Sequence, residues 1–429
     1  MGTAAVGRLQ VGLHVQTRLQ QGAPEGAPGK EGHGPSCKRL APRRQPSVND
    51  TMPPRRAIVL SGGGARGAYE VGVLAYILTQ LPKQLAVHQK IGLLCGTSVG
   101  AIHACFLASG VHRPDCNIGQ LLRVWRAFRL EEFLRMGNRD LLLLPRDIRK
   151  FFASKDGEQS IFLNSAIFRK IICNDIPWDS FRHNIERGSL SGVTVSATHI
   201  ATGKTVVFVD TPDGQVPSWT RDARRLALAT HIGPTHAIAS AAIPLLFPAI
   251  KLDGAYFCDG GLRQNTPLSP ALRLGADRVL VIPVGHGQEA PEPAAAAVQE
   301  VYPSPSVLLG KVFNALLLDH LDYDLAQLRG FNRLLQDGTR TFGDSFVDEL
   351  HKTSNNIRGA AYRHVDTVVV RPSRDLGEMA ADLMDAGVIK LPPLARFLFS
   401  RLGARDNGHS DLLSYLLFDG RLSQAFIEL

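Results

Sequence analysis

The run Ile91-Gly92-Leu93-Leu94-Cys95-Gly96-Thr97-Ser98-Val99-Gly100 decides how this 429-residue chain is read. Its first half is an apolar segment of strand length, and Ala101-Ile102-His103-Ala104-Cys105 beyond it predicts a helix rich in small residues. A serine forced into a tight strand-to-helix turn needs a small residue on either side, because the backbone is strained and the helix passes close to a neighbouring strand. Gly96 and Gly100 meet that need, with Thr97 and Val99 between, so the stretch reads as a nucleophile elbow. No Lys, Arg, Asp or Glu occurs from Ile91 to His112, but the internal glycines and Ser98 argue for a buried strand, turn and helix over a membrane span. In a chain with 41 glycines a lone G-x-S-x-G arises by chance, so its surroundings must carry the reading.

Upstream, Ala57-Ile58-Val59-Leu60-Ser61 predicts a strand, Gly62-Gly63-Gly64-Ala65-Arg66-Gly67 a glycine loop, and Val71, Leu74, Ile77, Leu78 and Leu81 the buried face of a helix. Strand, loop, helix and second strand make a βαβ unit with parallel strands. Loop and elbow then lie at the carboxyl ends of neighbouring strands, where open α/β sheets place their sites. The loop satisfies G-x-G-x-x-G, yet no acidic residue between Glu70 and Asp115 could hold a ribose, and no Gly-Lys-Ser/Thr follows. A dinucleotide site and a P-loop are therefore set aside. The glycines instead offer backbone N–H groups at a helix N-terminus, which beside a serine make an oxyanion hole. For Arg66, charge at the site, contact with a phosphate head group and a structural salt bridge all stay open.

Downstream, residues 115–190 read as a helical insertion in which Leu121, Leu122, Val124, Trp125, Phe128 and Leu130 alternate with Arg123, Arg126 and Arg129, followed by Leu141 to Leu144 and Phe151-Phe152. Packed helices with solvated arginines are the plainer reading, and a cap touching a membrane surface the functional one. Val193–Ala197 and Thr205–Val209 predict a hairpin. Ala239-Ser240-Ala241-Ala242-Ile243-Pro244 leads through Leu245-Leu246-Phe247-Pro248 to a strand, Ala255–Cys258, that ends in Asp259-Gly260-Gly261. Asp277–Val284 and Thr367–Val370 are further strands. Residues 286–306 form a Pro/Ala-rich linker, helix is expected over Val307–Leu335, and a helical tail over Leu391–Leu402 and Leu412–Phe418.

The formal charge of +9 sits mostly in residues 1 to 56, which carry +6 of it, so the basic pI describes a tail and not a nucleic-acid groove. Residues 1–54, without hydrophobic periodicity, are expected to be disordered, and Met52 is a candidate start. Six cysteines without a C-x-x-C pair suggest free thiols in a reducing compartment, hence a cytoplasmic protein; no signal peptide is evident.

Taken in order, Gly62-Gly63-Gly64-Ala65-Arg66-Gly67, Gly96-Thr97-Ser98-Val99-Gly100 and Asp259-Gly260-Gly261 closely resemble the motifs of the patatin-like phospholipase family, in a bacterial-type member. Ala197-Thr198-His199-Ile200-Ala201-Thr202-Gly203 and the segment from Ala239 to Pro248 support the likeness, which spans roughly residues 57 to 285. The resemblance implies a three-layer α/β/α sandwich around a mostly parallel sheet, in a catalytic domain over 55–285, with the helical insertion at about 115–190. Residues 307–429 would complete it or pack on it. It also implies a lipid acyl hydrolase, phospholipase A or lysophospholipase-like, that uses a Ser-Asp dyad: Ser98 as nucleophile, Asp259 as general base and the loop from Gly62 to Gly67 as oxyanion hole. The two are expected to touch above adjoining parallel strands. A lipid substrate, peripheral contact with a membrane, and no cofactor or metal follow.

An α/β-hydrolase with a Ser98-Asp259-His286 triad has the right chain order, although its H-G-G-G loop is missing. A non-catalytic lipid- or partner-binding module is the reading from another class, and an acyltransferase would share the acyl-enzyme. The lipid class and the oligomeric state are not legible.

Overall fold

The strands β1 (Arg56–Leu60) and β2 (Leu93–Thr97) pair in parallel, with Leu60 opposite Gly96. Between them the chain passes through the glycine loop and helix α1 (Gly67–Ala75), the expected βαβ unit. Both strands are apolar nearly throughout because each is covered on two faces. Ile58, Leu60 and Leu94 belong to one hydrophobic cluster, and their alternates Ala57, Val59, Leu93 and Cys95 to another. The computed structural model describes residues 55–85, 90–133, 165–216, 224–244, 246–287, 321–358, 362–390 and 411–429. The expected tail, most of the linker, Leu141–Leu144, Phe151-Phe152, the first part of the helix from Val307, and Leu391–Leu402 lie outside them.

The remaining strands are β3 (Gly192–His199), β4 (Thr205–Asp210), β5 (Arg225–Ala229), β6 (Ile250–Leu252), β7 (Ala255–Asp259), β8 (Arg278–Ile282) and β9 (Asp366–Val369). The main path runs β5-β4-β3-β2-β1-β8-β9, parallel except at the β3–β4 hairpin. β5 and β6 were not anticipated: the first alternates half-buried with exposed residues, and the second is three residues long.

Helices occupy both faces. The Ile58 cluster takes in α1, α2 (Val99–Ser109), α3 (Pro114–Arg126), α4 (Trp178–Glu186) and α5 (Pro234–Ser240). The Val59 cluster takes in α6 (Leu268–Arg273) and the start of α7 (Leu321–Phe342), through Leu268, Ala271, Leu321, Leu325 and Leu328. This is a three-layer α/β/α arrangement. In α3, Leu121 and Trp125 are buried while Arg123 and Arg126 are exposed, so this part of the insertion is a packed helix with solvated arginines. Near the end of the chain, α8 (Ser345–Arg358), α9 (Leu376–Asp385), α10 (Asp411–Leu416) and α11 (Gly420–Ile427) follow, and α11 packs on α1.

One expectation needs correction. Asp259 does not stand on a parallel strand adjoining β2. β7 is antiparallel to β3, with Asp259 opposite Ala197 and Phe257 opposite His199. β4 fills the other edge of β3 at Ala197 and Thr198, so β7 lies on the edge that β2 uses, and β2 ends one position earlier, with Thr97 opposite Ser196. The two strands therefore approach end to end, and Ser98 and Asp259 sit at the junction.

The elbow also requires α2 to cross the end of β1 closely: a Cβ on Gly100 would lie 2.5 Å from the Leu60 carbonyl oxygen. Backbone cannot step aside there. Gly100→Ala should therefore destabilise the fold by about 2 kcal/mol, read as a lower denaturation midpoint at unchanged m-value.

Candidate active site

Ser98 stands at φ 54°, ψ −125°, a conformation that non-glycine residues rarely adopt; Asp253 is the other non-glycine residue with positive φ among the described residues. Such strain costs about 1–3 kcal/mol and persists only where neighbours hold it. Here the Ser98 carbonyl starts α2 by accepting from Ala101 N–H at 3.0 Å, and its own N–H donates to Ser240 Oγ at 2.8 Å. Ser240 in turn donates to the Ser196 carbonyl at 2.6 Å, so α5 and β3 together brace the elbow.

From this turn Ser98 Oγ donates to Asp259 Oδ2 at 2.6 Å. The second carboxyl oxygen of Asp259 accepts from Gly261 N–H at 2.7 Å. Its backbone is pinned as well, N–H to the Ala242 carbonyl at 2.8 Å and carbonyl to Thr198 Oγ1 at 2.9 Å. Ser98 and Asp259 are 4% and 2% exposed. Burial pushes Asp259 up to about 7, against the lowering effect of its hydrogen bonds from Ser98 and Gly261. A carboxylate in this setting is a far better proton acceptor near neutral pH than one in water.

The glycine loop lies beside the pair: a Cβ on Gly62 would fall 3.2 Å from Ser98 Cβ. Gly62 N–H donates to the Asn265 carbonyl at 3.0 Å, and Asn265 Nδ2 donates back to the Gly62 carbonyl at 3.1 Å. Of the expected oxyanion donors, Gly62 is thus already engaged in holding the loop. Gly64 needs its missing side chain twice over, since φ is +54° and a Cβ would meet the Tyr415 carbonyl at 2.3 Å. The buried Arg66 turns to α10: its Nε donates to Ser414 Oγ at 2.7 Å and its guanidinium lies 4.1 Å from the Tyr415 ring centre. Its side chain is therefore anchored on α10, a hydroxyl and a ring being among its partners.

His286 is engaged elsewhere, its Nδ1–H donating to the Pro372 carbonyl at 2.9 Å, and Ser98 meets Asp259 with no imidazole between them. Cys258, next to Asp259, is pushed up to about 11 by burial and then by the Asp259 charge, so near neutrality it is a thiol and not a rival nucleophile. Among the described residues no group of three His, Cys, Asp or Glu is placed to hold a metal, and no helix is long and apolar enough to cross a membrane. Ser240, Thr198 and Asn265 went unassigned from sequence. Their signal was adjacency only, Ser240 and Thr198 lying within the segments that supported the resemblance.

A family model described as patatin-like phospholipase matches residues 58–272. The chain belongs to the patatin-like phospholipase family. A cGAMP-activated phospholipase from Pseudomonas aeruginosa is 29% identical over 218 residues, 50% of this chain and 55% of the relative. One from Vibrio cholerae is 28% identical over 233 residues, 49% and 55% of the two chains. The patatin-like chain here thus spans about half the length of these curated relatives. Among solved structures, VipD from Legionella pneumophila aligns at 13% identity with TM-score 0.30, over 87% of this chain and 67% of that one.

A buried carboxyl whose native pKa is raised binds its proton more tightly when folded, so its contribution is fully present below the unfolded pKa and is lost as pH rises towards about 7. Asp259→Asn has no charge to bury. The stability of the variant relative to wild type should therefore rise by about 3 kcal/mol between about pH 5 and about pH 8, measured by urea unfolding of both proteins at the two pH values.

Proposed function

We propose that this protein is a serine hydrolase of lipid acyl esters, of phospholipase A or lysophospholipase type, working through an acyl-enzyme on Ser98 with Asp259 as base. The observation that carries it is the 2.6 Å hydrogen bond from Ser98 Oγ to a buried Asp259 at the elbow. Family membership and the two phospholipase relatives support the substrate class.

The geometry supports the following chemistry. Asp259 takes the Ser98 proton as Oγ attacks the ester carbonyl, and the tetrahedral oxyanion is received by loop N–H groups, for which Gly63 and Gly64 are the donors nearest in sequence to the engaged Gly62. The carboxylic acid so formed returns the proton to the leaving alcohol, and water, deprotonated by Asp259 in its turn, releases the fatty acid. Dry surroundings serve both halves: they make Asp259 a stronger base, while its carboxylic acid, at about 7, stays acidic enough to give the proton back. Lipid esters reside in aggregates, so the enzyme meets its substrate peripherally, at a membrane surface.

The test is labelling with a fluorophosphonate and product analysis on mixed lipid vesicles, with and without cGAMP because the relatives are named as activated by it. Ser98→Ala should take up no label and release no fatty acid in either condition. Asp259→Asn should lower kcat by about 10³-fold or more, while His286→Ala should keep wild-type turnover; a loss in His286→Ala would favour the triad. The wild-type kcat should rise with pH through about 7 and level off above it, following ionisation of Asp259.

A further inference from the structure

The hydrogen bonds that fix the glycine loop continue into the layer of helices behind it. Ser61, the residue before Gly62, gives its N–H to Glu70 Oε1 at 2.7 Å and its hydroxyl to the same oxygen at 3.3 Å. Glu70 Oε2 meets His103 Nδ1 at 2.8 Å, and His103 Nε2 accepts Trp125 Nε1–H at 3.0 Å. The side chains of Glu70 and His103 are wholly shielded from solvent and Trp125 is 3% exposed. One residue each from α1, α2 and α3 thus forms a chain that ends on the backbone entering the loop.

The order of protons along it is set by one fact: an indole nitrogen only donates. His103 Nε2 must carry a lone pair, so the ring proton sits on Nδ1 and points at Glu70. Glu70 then accepts three hydrogen bonds, two from Ser61 and one from His103. Burial still pushes its pKa up against them. Stability alone does not ask for a carboxylate among Ala68, Val71 and Leu74, because an apolar residue of similar volume in such a place is often as stable or more so.

What the chain holds is the loop. Ser61 Oγ also accepts Val284 N–H at 3.2 Å, and Val284 Cγ2 lies 2.5 Å from where a Cβ on Gly63 would be. Glu70 therefore grips, through Ser61, both the peptide that leads into Gly62 and the backbone of Val284, whose side chain backs Gly63. We propose that Glu70, oriented by His103 and Trp125, is a positioning residue that keeps the Gly62-Gly63-Gly64 backbone in the geometry that receives the oxyanion, a role that rests on the Ser98 hydrolase reading.

The proton order supplies a test that mere packing would not satisfy. In Glu70→Gln the Ser61 N–H still requires the amide oxygen, so the amide NH2 faces His103 Nδ1, the ring proton moves to Nε2, and two donors oppose each other at Trp125. The expected result on lipid vesicles is a kcat lower by about 10²-fold with KM within about twofold of wild type, Ser98 still taking up fluorophosphonate to full stoichiometry. Trp125→Phe added to Glu70→Gln removes the opposing donor and should recover kcat by about tenfold. Wild-type kcat in Glu70→Gln, or a loss that Trp125→Phe leaves unchanged, overturns the proposal. If Glu70→Gln does not fold, Ser61→Ala keeps the backbone donor and deletes the hydroxyl between Glu70 and Val284. Its kcat should fall about tenfold at unchanged KM, and wild-type kcat there is again fatal. Wild-type protein that takes no label at Ser98 sinks the hydrolase reading, and this role with it.

Discussion

One edge of β3 is shared by two strands that run towards each other, and the pairing of Ser98 with Asp259 follows from where they meet. β2 climbs that edge to Thr97, β7 descends it to Asp259, and the paired positions Ser196 and Ala197 are consecutive. A hydroxyl and a carboxyl separated by 161 residues of chain are thereby set 2.6 Å apart without a flexible element between them. Sheet hydrogen bonding fixes positions to fractions of an ångström, which is the tolerance that proton transfer demands. The strain at Ser98 is tolerable because the sheet, α5 and the start of α2 all constrain the same peptide.

The second theme is the management of buried polarity. Asp259 and Glu70 are carboxyls taken out of water, and each is met by backbone and side-chain donors. Their roles divide by what they face. Asp259 faces the Ser98 hydroxyl and the Gly261 N–H, while Glu70 faces Ser61 and the His103 ring. The two sites thus hold the same functional group, and the environment of each sets what it can do.

Much of this was legible in the chain because local rules and global fold agree there. The apolar runs at Ala57–Ser61 and Ile91–Cys95, the glycines around Ser98 and the carboxylate ahead of Gly260-Gly261 each state a local geometry, and three such statements in order specify the sheet that joins them. The direction of β7 was not legible, since a five-residue strand reads the same whether its neighbour is parallel or antiparallel. β6 was too short and β5 too exposed to leave a periodic signal. Glu70 and His103 looked like ordinary helix positions: nothing in a sequence distinguishes a glutamate on a solvated face from one that points inward, and only the packing of three helices brings Ser61, His103 and Trp125 to it. Arg66 was read from its place in the loop, yet its partners come from α10, a distance along the chain that no local pattern spans.

That last contact has a bearing on when the glycine loop takes its final shape. The loop at Gly64 lies against the Tyr415 carbonyl, Arg66 reaches Ser414 across 348 positions, and Gly72 on the following helix lies against Ile427. During synthesis the elbow and Asp259 emerge from the ribosome well before α10 and α11 do. A half-made polypeptide therefore holds Ser98 and Asp259 without the late helices on which the glycine loop rests, and the loop takes its final shape only when those helices have docked.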